Sequence, residues 1–149
     1  MSEITPGEAK TKYGISARHN IMNNGERRFR LIDEQGLGYV RTDAGKPGAW
    51  QKSHVHHMMH ETYIVQSGWL AVATLNQERK LELQILKEGD TWSSLPGVAH
   101  NIYMSGNSIS HVVKHGNGTA DDWCTNETTQ RLDRMTTNLT EEEILGFGG

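Results

Sequence analysis

The sequence predicts an all-β domain, a sandwich or small antiparallel β-barrel built from short strands. Three observations predict it. Residues 80–87 (KLELQILK) alternate Leu81, Leu83 and Ile85 with Lys80, Glu82 and Gln84, the period of two of a half-buried strand. Further candidate strands recur at 28–34, 37–42, 50–56, 61–66, 69–75, 98–104 and 108–114. Turn-forming residues fall between them: Gln35-Gly36, Lys46-Pro47-Gly48, Ser67-Gly68, Glu88-Gly89-Asp90, Pro96-Gly97 and Ser105-Gly106-Asn107. Many short strands at this spacing suit a sandwich or barrel.

Taken in order, residues 1–26 show little periodicity and read as an N-terminal arm lying along the barrel. The barrel core runs from about 25 to 115. Residues 116–149 form a C-terminal extension that opens on a loop, GNGTADD. Within it, 127–136 reads as a short helix capped by Asn126. Thr140 with Glu143 has the spacing of a capping box for one further turn, closed by Gly146. These pieces are expected to cover the barrel or a neighbouring subunit. At 149 residues the chain has the size of one domain, large enough to bury a core without staples.

Bulk composition excludes several classes. With 35% hydrophobic residues, 22% charged residues and a net charge of -3, nothing marks a nucleic-acid partner. No apolar run approaches a membrane span. The polar start, MSEITPGEAK, is not a secretory signal. The single cysteine, Cys124, excludes an internal disulfide framework. The expectation is a soluble cytoplasmic protein.

Chemistry concentrates in two patches. Five of the eight histidines (His54, His56, His57, His60 and His100) lie in 48–68, GAWQKSHVHHMMHETYIVQSG, and 89–100, GDTWSSLPGVAH. Residues two apart on a strand share a face, so His54 and His56 present two imidazoles about 6–7 Å apart. Glu61, Tyr63 and Val65 share a face of the next strand, which brings a carboxylate beside them. His100 arrives from a strand distant in sequence. Imidazole suits several first-row metals, and one carboxylate adds a hard oxygen ligand. Four protein ligands leave open positions for water, dioxygen or a chelating substrate. His57 and His60 are expected in the bridging loop, as bystanders.

At these residues the sequence resembles the cupin superfamily. The first cupin motif, G-x5-H-x-H-x4-E-x6-G, is matched by Gly48, His54, His56, Glu61 and Gly68. The second, G-x5-P-x-G-x2-H-x3-N, is matched by Gly89, Gly97 and His100. It departs at Leu95, where proline is usual and Pro96 follows, and at Met104 in place of asparagine. The resemblance implies a jelly roll (double-stranded β-helix) with His54, His56, Glu61 and His100 holding one divalent metal ion, iron, manganese, nickel or zinc. It also implies a homodimer.

Strand parity nominates the pocket. Trp50 and Lys52 share the face of His54, Tyr63 that of Glu61, and Ile102 and Met104 that of His100. A two-residue turn at Gly106-Asn107 would pair Ile102 with His111 and turn His111 inward. Lys52 is a candidate partner for a substrate carboxylate or phosphate, and Tyr63 a candidate proton donor. The function expected is a metal-dependent enzyme acting on a small polar metabolite, sugar-like or carboxylate, by isomerase- or lyase-type chemistry. The alternatives are an iron-dependent dioxygenase and a non-catalytic metal- or ligand-binding barrel.

Overall fold

The protein was analysed as a computed structural model that describes residues 4–119 and 121–147. The described residues form two antiparallel sheets packed face to face, flanked by three helices. In chain order the elements are α1 (Pro6–Tyr13), β1 (Ser16–Ile21), β2 (Arg27–Ile32), β3 (Gly38–Asp43), β4 (Ala49–Trp50), β5 (Met59–Ser67), β6 (Trp69–Leu75), β7 (Leu81–Lys87), β8 (Thr91–Ser93), β9 (Asn101–Met104), β10 (Ile109–Gly116), α2 (Glu127–Thr136) and α3 (Glu141–Gly146). One sheet has the order β1-β2-β3-β10-β5-β8, the other β4-β9-β6-β7. The all-β class and the jelly-roll arrangement are as expected, in the two-sheet form; the sheets do not close into a continuous barrel.

The facing sides of the sheets make the core. Val40, Tyr63, Val65, Leu70, Val72, Leu86, Ile102, Met104 and Val112 are all buried there. Parity along β5 is clean: Met59, Glu61, Tyr63 and Val65 are buried, while Ile64 and Gln66 are exposed. A second cluster joins Ala71, Tyr103 and Ile144, with Trp50, Trp69 and Leu139 packed against it. Ile144 and Leu139 thus cover the outer side of the smaller sheet. Both helix caps match their sequence signatures, Asn126 with Thr129 and Thr140 with Glu143.

Four expectations are corrected. Residues 1–26 are not a bare arm: α1 and β1 lie within them, and β1 pairs with β2 from Ser16↔Ile32 to Ile21↔Arg27. Its polar sequence, SARHNI, suits an exposed edge strand, which needs no apolar alternation. The strand expected at 50–56 is laddered only at Ala49–Trp50 and continues through single bridges, His54↔His100 and Val55↔Cys124. His60 sits inside β5, not in the bridging loop, and its ring stacks on His115 with centroids 5.5 Å apart. Lastly, β9 and β10 belong to different sheets, so Ile102 does not pair with His111. His111 faces outward, bonded to Tyr39 and Gln66.

Two motif glycines have steric reasons. A Cβ on Gly48 would lie 2.3 Å from the Met104 carbonyl oxygen, where β4 crosses β9. Gly68 has φ +74° between β5 and β6, and a Cβ there would meet Ser108 at 2.6 Å. Both glycines let the strands that carry the histidines and Glu61 pack closely.

Candidate metal centre

His54 and His100 are brought together by backbone pairing. Each donates its N–H to the other's carbonyl, at 3.1 and 3.0 Å, and the rings lie 4.4 Å apart. Two residues on, His56 returns to the same face, its ring 4.8 Å from that of His54. Glu61 rises from β5 beneath them. All four side chains are buried. The Nε2 atoms of His54, His56 and His100 stand 3.0, 2.9 and 3.3 Å from one atom, Glu61 Oε1. His54, Glu61 and His100 form the tightest set, with ligand atoms within 4.8 Å of one another; His56 approaches Glu61 from another side, its ring 6.3 Å from His100.

The tautomers follow from the partners. The Nδ1 of His54 donates to the Lys52 carbonyl at 3.1 Å, that of His56 to Asp122 at 2.7 Å, and that of His100 to Val98 at 3.3 Å. A carbonyl oxygen only accepts, so each Nδ1 carries the proton. In a neutral ring Nε2 then offers a lone pair. Burial holds His54 below the usual histidine range, despite Glu61 beside it. Burial also opposes charge on Glu61, and only imidazoles that donate from Nε2 outweigh it and hold the carboxyl well below the ordinary range.

This arrangement has acceptors facing an acceptor. His56 Nε2 is buried with no hydrogen-bond partner although Glu61 Oε1 is 2.9 Å away. Three imidazolium ions against one carboxylate would be a costly alternative in a buried site. A cation shared by the four groups resolves the conflict. Ligand atoms bonded at about 2.1 Å and a right angle apart lie about 3.0 Å from each other, close to the 3.0, 2.9 and 3.3 Å from Glu61 Oε1 to the three Nε2 atoms, while only His54, Glu61 and His100 lie mutually within 4.8 Å. The residues therefore fit a divalent transition metal.

A supporting layer holds the imidazoles in place. Asp122 accepts the backbone N–H groups of His57, Met58 and Met59 at 2.8, 3.0 and 2.9 Å. Burial opposes its ionisation, but these donors prevail and hold Asp122 below the usual carboxylate range. Its carbonyl orients His56. Trp123 stacks on His54, with centroids 5.6 Å apart and planes 22° from parallel. Trp92 and Tyr63 both lie edge-on to His100.

Between the sheets and beside His54 and Glu61 is a cavity of about 110 Å³, lined in part by Arg28, Arg30, Gln51, Tyr63, Val112 and Lys114. It adjoins a wider mouth of about 710 Å³ that shares Arg28, Arg30, Gln51, His54 and Trp123 and adds Trp50 and Lys52. Of the two nominated catalytic residues, Tyr63 faces the inner cavity, and burial pushes its phenol well above the ordinary range. Lys52 stands exposed at the rim, its ammonium 5.7 Å from the Trp123 ring centroid. Ile102 and Met104 are buried in the core.

Sequence reading missed several residues here. Lys114 reaches within 3.9 Å of Glu61 Oε2, opposite it in the ladder. Parity from Val112 marks Lys114 as inward. Arg28 and Arg30 also face inward, while Leu31 between strand neighbours is 48% exposed, an inversion of the usual pattern. Asp122 and Trp123 lie in a loop without periodicity, and no local signal marks them.

No protein-family model matches the sequence, and no curated protein matches it. Solved structures do. A mutant of Bacillus subtilis oxalate decarboxylase OxdC is similar with a TM-score of 0.57 and 17% identity, over 70% of this chain and 28% of that one. Drosophila melanogaster CENP-C bound to CAL1 gives a TM-score of 0.56 and 16% identity, over 66% and 76%. KdgF from Halomonas sp. gives 0.55 and 18%, over 70% and 91%. The chain has the cupin fold.

Proposed function

We propose that this protein is a metal-dependent enzyme acting on a small polar metabolite by isomerase- or lyase-type proton transfer. One observation carries the reading: three Nδ1-protonated imidazoles aim Nε2 at a single oxygen of Glu61, 2.9–3.3 Å away, beside a cavity. His54, His56, Glu61 and His100 would hold the ion. When bound, it would supply Lewis acidity toward a substrate oxygen at an open position.

The chain's own residues do the rest. Tyr63 holds a proton in the inner cavity, on a phenol whose burial disfavours its loss. That makes it a donor to a substrate oxygen rather than a resting base. Lys114 is the nearer basic group: it is largely buried, and burial lowers its pKa. Lys52 serves the rim, drawing an anionic ligand toward the mouth. Trp123 and Trp92 limit water around His54 and His100. The homodimer implied by the resemblance belongs to the same proposal, supported by Leu31, Ile64 and Val113, which are part-exposed on one sheet.

The test is turnover of small sugars and organic acids followed by NMR, with manganese or iron supplied, with and without oxygen. Turnover that persists without oxygen and disappears in His100→Ala supports the proposal. Turnover that needs both iron and oxygen assigns the site to dioxygenase chemistry instead. A metabolite that stays bound and unchanged through purification assigns it to binding.

A further inference from the structure

The inner cavity contains more positive charge than its carboxylates balance. Arg28 is satisfied: its Nε and Nη2 donate to Glu26 Oε1 at 3.1 and 2.7 Å, and Gln51 adds bonds from Nε2 to both Glu26 oxygens at 3.2 Å. Arg30 has no such partner. Its one side-chain hydrogen bond among the described residues runs from Nη1 to the neutral Asn20 Oδ1, at 2.7 Å. Lys114 has only Glu61, at 3.9 Å, and that carboxylate is engaged by three imidazoles. Two cationic heads therefore line a largely polar cavity that opens into the mouth, Arg30 with no carboxylate of its own and Lys114 sharing Glu61 with the imidazoles.

Register places them on either side of one floor. Arg30 pairs with Val40, and Val40 pairs with Val112. Lys114 lies two residues along β10 from Val112, opposite Glu61. Strands β2 and β10 flank β3, so their backbones are about 10 Å apart. Long side chains converge over Val40 from that separation. We infer that Arg30 and Lys114 form a clamp for a compact oxyanion, and that the ligand is an organic acid whose carboxylate sits there with a neighbouring oxygen toward the metal.

This inference rests on the proposed metal site for its second anchor, but the clamp itself consists of this chain's cations. The space favours a carboxylate. A volume of 110 Å³ equals about four water molecules at roughly 30 Å³ each, and the ion must share it. Arg30 presents a planar fork that matches a planar carboxylate. The wider mouth leaves room for the rest of the acid.

Malonate titrated into the full chain by calorimetry tests the assignment, with zinc-loaded and metal-free protein in parallel. The variants are Arg30→Gln, Lys114→Gln, Arg30→Lys and, as a distant charge control, Lys87→Gln. Metal content and circular dichroism are read on every sample. Malonate affinity is expected to fall at least tenfold in Arg30→Gln and Lys114→Gln with folding and metal content unchanged. It should fall less in Arg30→Lys and not at all in Lys87→Gln. Neutral malonamide should not bind. Equal malonate affinity in wild type and both glutamine variants overturns the clamp. Inorganic phosphate bound more tightly than malonate overturns the carboxylate assignment. A wild type that takes up no zinc defeats the metal reading instead, and the metal-free titration still decides the clamp.

Discussion

Each imidazole at the centre is positioned by a backbone carbonyl, and Asp122 supplies the one that holds His56. Its carboxylate binds three consecutive N–H groups at 57–59, and its carbonyl fixes the His56 ring. Outer partners of metal ligands typically contribute about 10–100-fold to metal affinity. Asp122→Asn is expected to weaken zinc binding in that range, measured by competition with a chromophoric chelator. The carboxyl is held below its usual range, so its stabilisation is present above its unfolded pKa, about 3.9. That contribution is lost as pH falls through the lower folded value. Unfolding by denaturant should therefore show metal-free wild type losing its advantage over Asp122→Asn as pH drops below about 4. An advantage that persists to the acid limit would remove Asp122 from this role.

At the scale of elements, the ligand-bearing strands depend on close crossings and on α2. Leu132 of α2 is fully buried, and Asp133 accepts the Ser53 N–H at 2.9 Å, one residue before His54. Leu132→Ala is expected to cost about 2–5 kcal/mol. Gly68→Ala adds a strained φ to a 2.6 Å contact with Ser108 and is expected to be destabilising as well. Thermal unfolding of metal-free protein measures both. What could be read from sequence follows the same physics. Alternation named β7, whose Leu81, Leu83 and Ile85 are part-buried, and the inward face of β5, which is buried. The caps of α2 and α3 were legible from Asn126 and from Thr140 with Glu143. Edge strand β1 and the three-residue β8 carry too few apolar residues to signal. Arg28 and Arg30 run against the pattern, since their inward charge serves the cavity and not the core. Asp122 and Trp123 reach the site only through tertiary packing of a loop.

For the whole molecule, two sheets hold a donor set that is poorly balanced without a cation. No helix among the described residues is long and apolar enough to cross a membrane. Metal binding to the folded chain should raise its stability by about 2.7 kcal/mol when free metal is a hundred times Kd. For a chain of this size that corresponds to a rise in Tm of roughly 5–10 °C. Differential scanning calorimetry should show the rise with zinc or manganese and its reversal by a chelator. The four proposed ligands were nominated from spacing and resemblance, and the geometry brings their side chains together. Glu61 Oε1 meets three lone pairs at 2.9–3.3 Å.

Elemental analysis of protein purified without added metal tests that claim most directly, with His54→Ala and His100→Ala purified alongside. The prediction is a divalent transition metal approaching one per chain in wild type, and a loss of most of it in both folded variants. A wild type free of metal that also fails to take up zinc, manganese or iron, or variants that keep the full complement, would contradict it.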